Sequence, residues 1–201
     1  LFLQIPTTLS ISLLNSLYAF CHVFVTLLIA LWVFRRHRAH FPLLRNVMLL
    51  TTILALALYE LYPLAPPRLS SGLIFDQHAV LFHDTVRHFL GVGRLNFASI
   101  GYNPYAAMPS LHVAWAIIVG VTAFLLTRRP FLRLVWLAYP PVITIDVVAT
   151  GNHYLLDAAG AAVVVGVATL LALFFAWSRR FLPAERRENM YSRGPGKVVT
   201  H

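Results

Sequence analysis

Apolar residues are gathered into five long runs: Ile11–Phe34, Leu43–Tyr62, Ser110–Thr127, Leu132–Ala149 and Tyr154–Trp177. Each is long enough, as a helix, to cross a hydrocarbon core of about 30 Å. The pattern predicts an all-α fold, a polytopic membrane helix bundle with five visible spans. Because the chain opens on Leu1 rather than methionine, a sixth span is expected to precede it. Residues 1–188 are expected to form one integral-membrane domain, and 189–201 a polar, disordered tail. Between the second and third runs, Ala79, Phe82, Val86 and Phe89 recur at helical spacing. His83, Asp84, Arg87 and His88 fall opposite them, which predicts a short helix lying in the membrane interface. Gly91, Gly93 and Gly101 follow it and suggest a flexible stretch.

Composition agrees: 59% of the 201 residues are hydrophobic and 11% charged, which excludes an ordinary soluble domain. The net charge of +9 raises nucleic acid as a partner, but its distribution argues for a membrane instead. The basic residues sit at Arg35-Arg36-His37-Arg38, at Arg128-Arg129 with Arg133, and at Arg179-Arg180 with Arg186-Arg187. If the runs alternate in direction, all three clusters share one side, and the positive-inside rule makes that side cytoplasmic. Residues 63–108 and the turn 150–153 then lie on the extracytoplasmic side. Cys21 is the only cysteine, so no internal disulfide can form.

The candidate chemistry collects on that outer side. Met108-Pro109-Ser110-Leu111-His112 opens the third run and Thr150-Gly151-Asn152-His153-Tyr154-Leu155-Leu156-Asp157 opens the fifth. On a helix, His153 and Asp157 share a face one turn apart. A carboxylate there can hold one ring nitrogen as a donor and leave the other as a lone pair, which suits a base or a nucleophile. Pro109 and Ser110 are a helix-start signal, and first-turn amides offer an anion site. Pro63, Pro66 and Pro67 stiffen the approach to Arg68, a candidate phosphate clamp. Ala116 with Gly120, and Ala158 with Ala162 and Gly166, form small-residue stripes that predict close packing of the third and fifth runs. Pro140-Pro141 predicts a kink in the fourth run. Asp146 is expected to play a supporting role beside an arginine or backbone amide, Glu60 likewise, and His22 reads as a satisfied bundle histidine.

Together these residues resemble the type 2 phosphatidic acid phosphatase superfamily, whose signatures are Lys-x6-Arg-Pro, Pro-Ser-Gly-His and Ser-Arg-x5-His-x3-Asp. Pro109-Ser110-Leu111-His112 matches the second with leucine for glycine, and His153-x3-Asp157 matches the end of the third. The Ala-Met-Pro-Ser-Leu-His wording is similar to the branch that includes inositol phosphorylceramide synthases and bacterial phosphatase-like proteins. The first signature's lysine would fall at Leu61 and the third's Ser-Arg at Asp146-Val147, so both cations are missing; Arg94 and Asn152 are candidate replacements. The resemblance implies a lipid phosphate or diphosphate phosphatase, independent of metal and other cofactors. His153 would be the nucleophile that forms a phosphohistidine, with Asp157 orienting it. His112 would be the general acid, and Arg68, Ser110 and Asn152 would contact phosphate. The alternatives are a phosphotransferase moving a phospho-head group between lipids, a metal site built from His112, His153 and Asp157, and a non-catalytic membrane protein. The partners implied are a lipid phosphate substrate and membrane lipids, not nucleic acid, with homo- or hetero-oligomerisation left open. The location implied is a bacterial plasma membrane.

Overall fold

The computed structural model describes residues 13–67 and 105–178. Arg68, Arg94, the interfacial helix at 79–90, the glycine-containing stretch after it and the tail at 189–201 lie outside them. Among the described residues the chain is all-helical, with no strand. Helix begins at Leu13, widens into a π-helical turn at Leu17–Cys21 and continues as α1 (His22–Arg36). There follow α2 (Phe41–Leu61), α3 (Leu111–Leu126), α4 (Pro130–Ala149) and α5 (Leu155–Ser178). The five apolar runs thus become five helical segments.

Three of them, α2, α4 and α5, are by themselves long and apolar enough to cross a bilayer. Helix α3 has 16 residues, about 24 Å at 1.5 Å each, short of the roughly 30 Å core. Its two end residues serve as caps instead. Ser110 is extended and its side chain accepts from Val113 N, while Thr127 is extended at the other end. Helix α3 is also the central helix, packing against each of the other four.

The bundle is inside-out by the standards of a soluble protein. Leu61, Leu125, Leu155, Leu170 and Phe131 are exposed, whereas the interior holds Ala114, Ala116, Val119, Ala123, Ala161 and Ala168. Small side chains let helices approach where lipid tails offer no hydrophobic gain between them. The stripes expected to join the third and fifth runs are placed differently. Helices α3 and α5 do pack together, but Gly120 faces α4. A Cβ on it would meet the Trp136 carbonyl oxygen at 3.0 Å and the Pro140 ring at 3.1 Å. On α5, Ala162 is exposed and Gly166 has nothing within 4 Å. The buried stripe runs one position earlier, through Asp157, Ala161, Val164, Val165, Ala168 and Ala172. Side-chain volume alone does not distinguish these neighbouring stripes, because both are rich in small residues.

Helix α4 continues through Pro140 and Pro141. Proline at 140 deprives the Trp136 carbonyl of its usual N–H partner, and that carbonyl faces the bare Cα of Gly120. Thr144 Oγ1 donates to the Pro140 carbonyl at 2.9 Å.

The direction of the helices separates the charges. Arg35, Arg36, Arg38, Arg45, Arg128, Arg129 and Arg133 lie at one end, and Glu60, Asp146 and Asp157 toward the other. An apolar groove of about 370 Å³ runs between α2, α3 and α5 on the arginine side, lined by Leu44, Val47, Ile118, Leu125 and Val165, with His40 also on its wall.

Candidate active site

The end of the bundle away from the arginines is built from two loops tied to helix starts. Leu64 N donates to the Tyr105 carbonyl at 2.8 Å and Ala107 N to the Leu64 carbonyl at 3.2 Å. This single parallel bridge fixes the segment that enters α3. Buried Tyr59, on the last turns of α2, donates its hydroxyl to the Pro109 carbonyl, and Ser110 N donates to the Asp157 carbonyl at 3.2 Å. The first turns of α3 and α5 are thereby joined. A side chain at Gly160 would meet Met108 Cε at 3.1 Å, so the same loop also rests closely on α5.

The second loop turns at Gly151, whose φ of 67° lies in the left-handed region that favours glycine. Asn152 N and His153 N both donate to the Val147 carbonyl at 3.1 Å, and Asn152 Nδ2 donates to Thr150 Oγ1 at 2.8 Å. Thr150 Oγ1 in turn donates to the Asp146 carbonyl at 2.8 Å. The turn is therefore braced before His153 is reached.

His153 itself precedes α5 rather than lying on it. The sequence placed it on one helical face with Asp157, and the two do meet, but the closer partner of the ring is a group the motif does not show. His153 Nδ1 is 2.8 Å from the Ala107 carbonyl oxygen and 3.3 Å from Asp157 Oδ2. A carbonyl oxygen can only accept, so Nδ1 carries the hydrogen and Nε2 of the neutral ring carries the lone pair. Asp157 Oδ2 also accepts from Tyr154 N at 2.8 Å. With Tyr154 at the N-cap of α5 and Asp157 three residues on, this is the acidic half of a capping box. One carboxylate thus starts the helix and faces the catalytic candidate. Its other oxygen, Oδ1, is buried without a hydrogen-bond partner among the described residues.

His112, in the first turn of α3, brings its ring to 6.0 Å from that of His153, centroid to centroid. It is held by rings. Tyr18 stacks on it at 4.2 Å with an interplanar angle of 19°, and His22 lies at 4.0 Å, tilted by 49°. His22 Nδ1 donates to the Tyr18 carbonyl at 2.8 Å. His22 is thus satisfied, as expected, but it is also in contact with the site, which a lone histidine in an apolar run does not reveal. Tyr59 and the Ala107 carbonyl were missed for a similar reason: neither belongs to a recognisable spacing.

The structure therefore brings together His153, Asp157, His112, Ser110 and Asn152. Ser110 uses its N–H on the Asp157 carbonyl and a lone pair on Val113 N, leaving its hydroxyl hydrogen to donate. Asp146, 1% exposed, shows neither of the partners expected for it: its carboxylate oxygens have none among the described residues. Glu60 is exposed. No set of three or more His, Cys, Asp or Glu among the described residues is arranged to hold a metal ion.

Residues 6–171 match the family model described as PAP2 superfamily, more than three-quarters of the chain. The chain belongs to the PAP2 superfamily. Membership assigns it a phosphatase- or phosphotransferase-type function, and with the three long apolar helices it makes the chain an integral membrane protein. No curated protein and no solved structure gives a match. In this PAP2 protein Leu61 and Val147 stand at the two positions where the signatures described above would place cations.

Proposed function

We propose that the protein removes phosphate from a lipid phosphate or diphosphate, working through a covalent histidine intermediate. The observation that carries this reading is the tautomer of His153. With Nδ1–H donated to the Ala107 carbonyl and Asp157 alongside, the Nε2 lone pair is the ring's nucleophilic atom. The lone pair forms an N–P bond as the P–O bond to the lipid breaks. The departing oxygen keeps the bonding electrons and takes a proton from His112. Water then attacks phosphorus, gives a proton back to His112 and releases His153. The Asp157 carboxylate favours the positive charge on His153 while it is phosphorylated, and general acid–base help from His112 is typically worth about 10²–10⁴-fold. Arg68, the Ser110 hydroxyl and Asn152 are the proposed phosphate contacts.

A lipid substrate is supported by the membrane-crossing helices and by the groove between α2, α3 and α5, the three helices whose opposite ends carry Tyr59, His112 and Asp157. An extracytoplasmic site is supported by the seven described arginines at the far end. Replacing the water by a lipid alcohol turns the same first step into phosphotransfer of the inositol phosphorylceramide synthase kind, and the two acceptors share every residue named above.

The test is turnover of purified protein on a panel of lipid phosphates, with and without alcohol acceptors, plus rapid acid-free quench to trap an acid-labile phosphoprotein. No phosphoprotein and no turnover on any member would reject the reading, and product appearing only with an alcohol would make the protein a transferase. For sidedness, Tyr105→Cys in a Cys21→Ser background should react with an impermeant maleimide in intact cells, and Arg129→Cys only after lysis. The opposite labelling would put the site in the cytoplasm.

A further inference from the structure

The π-helical turn at Leu17–Cys21 widens the helix one turn above His22, and such turns are often found at functional sites. Here it carries Tyr18, and the two residues four apart, Tyr18 and His22, both place their rings against His112. The Tyr18 carbonyl accepts from His22 Nδ1 and faces the His112 ring as well. As a carbonyl only accepts, His22 Nδ1 bears hydrogen, and its ring is locked in place at its base. Trp115, on α3, also lies near His22, at 6.3 Å between centroids and tilted by 43°.

His112 and His153 are supported by different means. His153 has a carboxylate at 3.3 Å. Among the described residues no carboxylate bonds to His112; its neighbours are Tyr18, His22 and His153. A proton donor with no carboxylate to orient it must be held in place by something else. The stacked Tyr18 ring and the tilted His22 ring supply that placement by packing on the imidazole from a neighbouring helix.

We propose that Tyr18 and His22 are positioning residues for His112, clamping its ring toward His153 in the place from which it donates a proton to the leaving oxygen. This rests on His112 being the general acid. The consequence is selective. A lipid alkoxide needs that proton as the P–O bond breaks, whereas a nitrophenolate leaves without it.

The experiment compares kcat and KM on a long-chain alkyl phosphate and on 4-nitrophenyl phosphate for His22→Ala, His22→Phe, Tyr18→Leu, His112→Ala and the His22→Ala/His112→Ala double variant. His22→Ala and Tyr18→Leu should each lower kcat on the alkyl phosphate about tenfold, with KM and aryl turnover within about twofold. His22→Phe, which keeps a ring face, should recover most of the loss. Adding His22→Ala to His112→Ala should cost nothing further, since the two act as a unit. Equal losses on both substrates, or a full additional loss in the double variant, would overturn the proposal and leave the clamp as ordinary packing. If His112→Ala is selective for the alkyl phosphate and neither clamp variant is, the clamp alone is wrong. If His112→Ala loses both substrates equally, the general-acid reading fails and the clamp with it. Should His22→Ala not fold, Tyr18→Leu and His22→Phe decide the matter by the same comparison.

Discussion

The two histidines stand about one ring-width apart yet are held by unlike surroundings. His153 sits in a hydrogen-bonded turn, fixed by the Ala107 carbonyl, Asp157 and the Val147 carbonyl that takes its backbone N–H. His112 sits on a helix, pressed between side chains of a neighbouring helix that contribute ring faces. Directional bonds select a tautomer, because each donor and acceptor has one permitted partner type. Stacking selects a position and tolerates the ring with or without its second proton. A nucleophile needs its lone pair on one nitrogen, and an acid–base group must cycle between two charge states. The contrast in support therefore parallels the contrast in proposed role.

The strongest way to break the comparison is His153→Ala. If this ring is the nucleophile, turnover should fall by about 10⁴-fold or more on alkyl and aryl phosphates alike, and no acid-labile phosphoprotein should form. A variant that keeps near-normal rate on either substrate removes His153 from the chemistry. Asp157→Asn comes next. It retains an oxygen able to accept from Tyr154 N but loses the charge beside the ring. The lost charge-assisted bond is worth about 1.5–3 kcal/mol, or roughly 10–150-fold in kcat. Because the Ala107 carbonyl still fixes Nδ1–H, the tautomer should survive; a loss as large as that of His153→Ala would show that the carboxylate and not the carbonyl sets it.

Gly151→Ala tests whether the turn itself matters. A Cβ at φ 67° costs about 1–2 kcal/mol, seen as a lowered unfolding midpoint, and kcat should fall on both substrates together because His153 moves. A drop confined to the alkyl phosphate would mean that the turn supports His112 instead. The smallest effect is expected from Trp115→Phe. It loses the Nε1 donation to Thr52 Oγ1 at 3.3 Å, about 1 kcal/mol of stability, while keeping a ring beside His22. Thermal unfolding should register it, and kinetics should barely do so. A large loss in alkyl-phosphate kcat would extend the ring cluster that serves His112 by one member.

What was legible beforehand follows from where the information lies. Five apolar runs are enough to specify five helical segments, because length and hydropathy are local properties and lipid leaves the backbone little alternative to helix. The alternating placement of arginines along the sequence implies which ends of the helices lie together, and so places Ser110, His112, His153 and Asp157 at one end. The spacing of His153 and Asp157 is likewise local, and the two side chains do meet. Only the tertiary structure decided that the Ala107 carbonyl stands closer to His153 than Asp157 does. Residue 107 is 46 positions away, and a backbone carbonyl leaves no mark in a motif. It also decided that Gly120 faces α4, that the buried stripe of α5 passes through Asp157 and Ala161 rather than Ala158 and Ala162, and that His22 and Tyr18 touch His112. These are matters of helix rotation. A rotation by one residue, about 100°, chooses between stripes of almost equal composition, and packing against all the neighbours at once makes that choice.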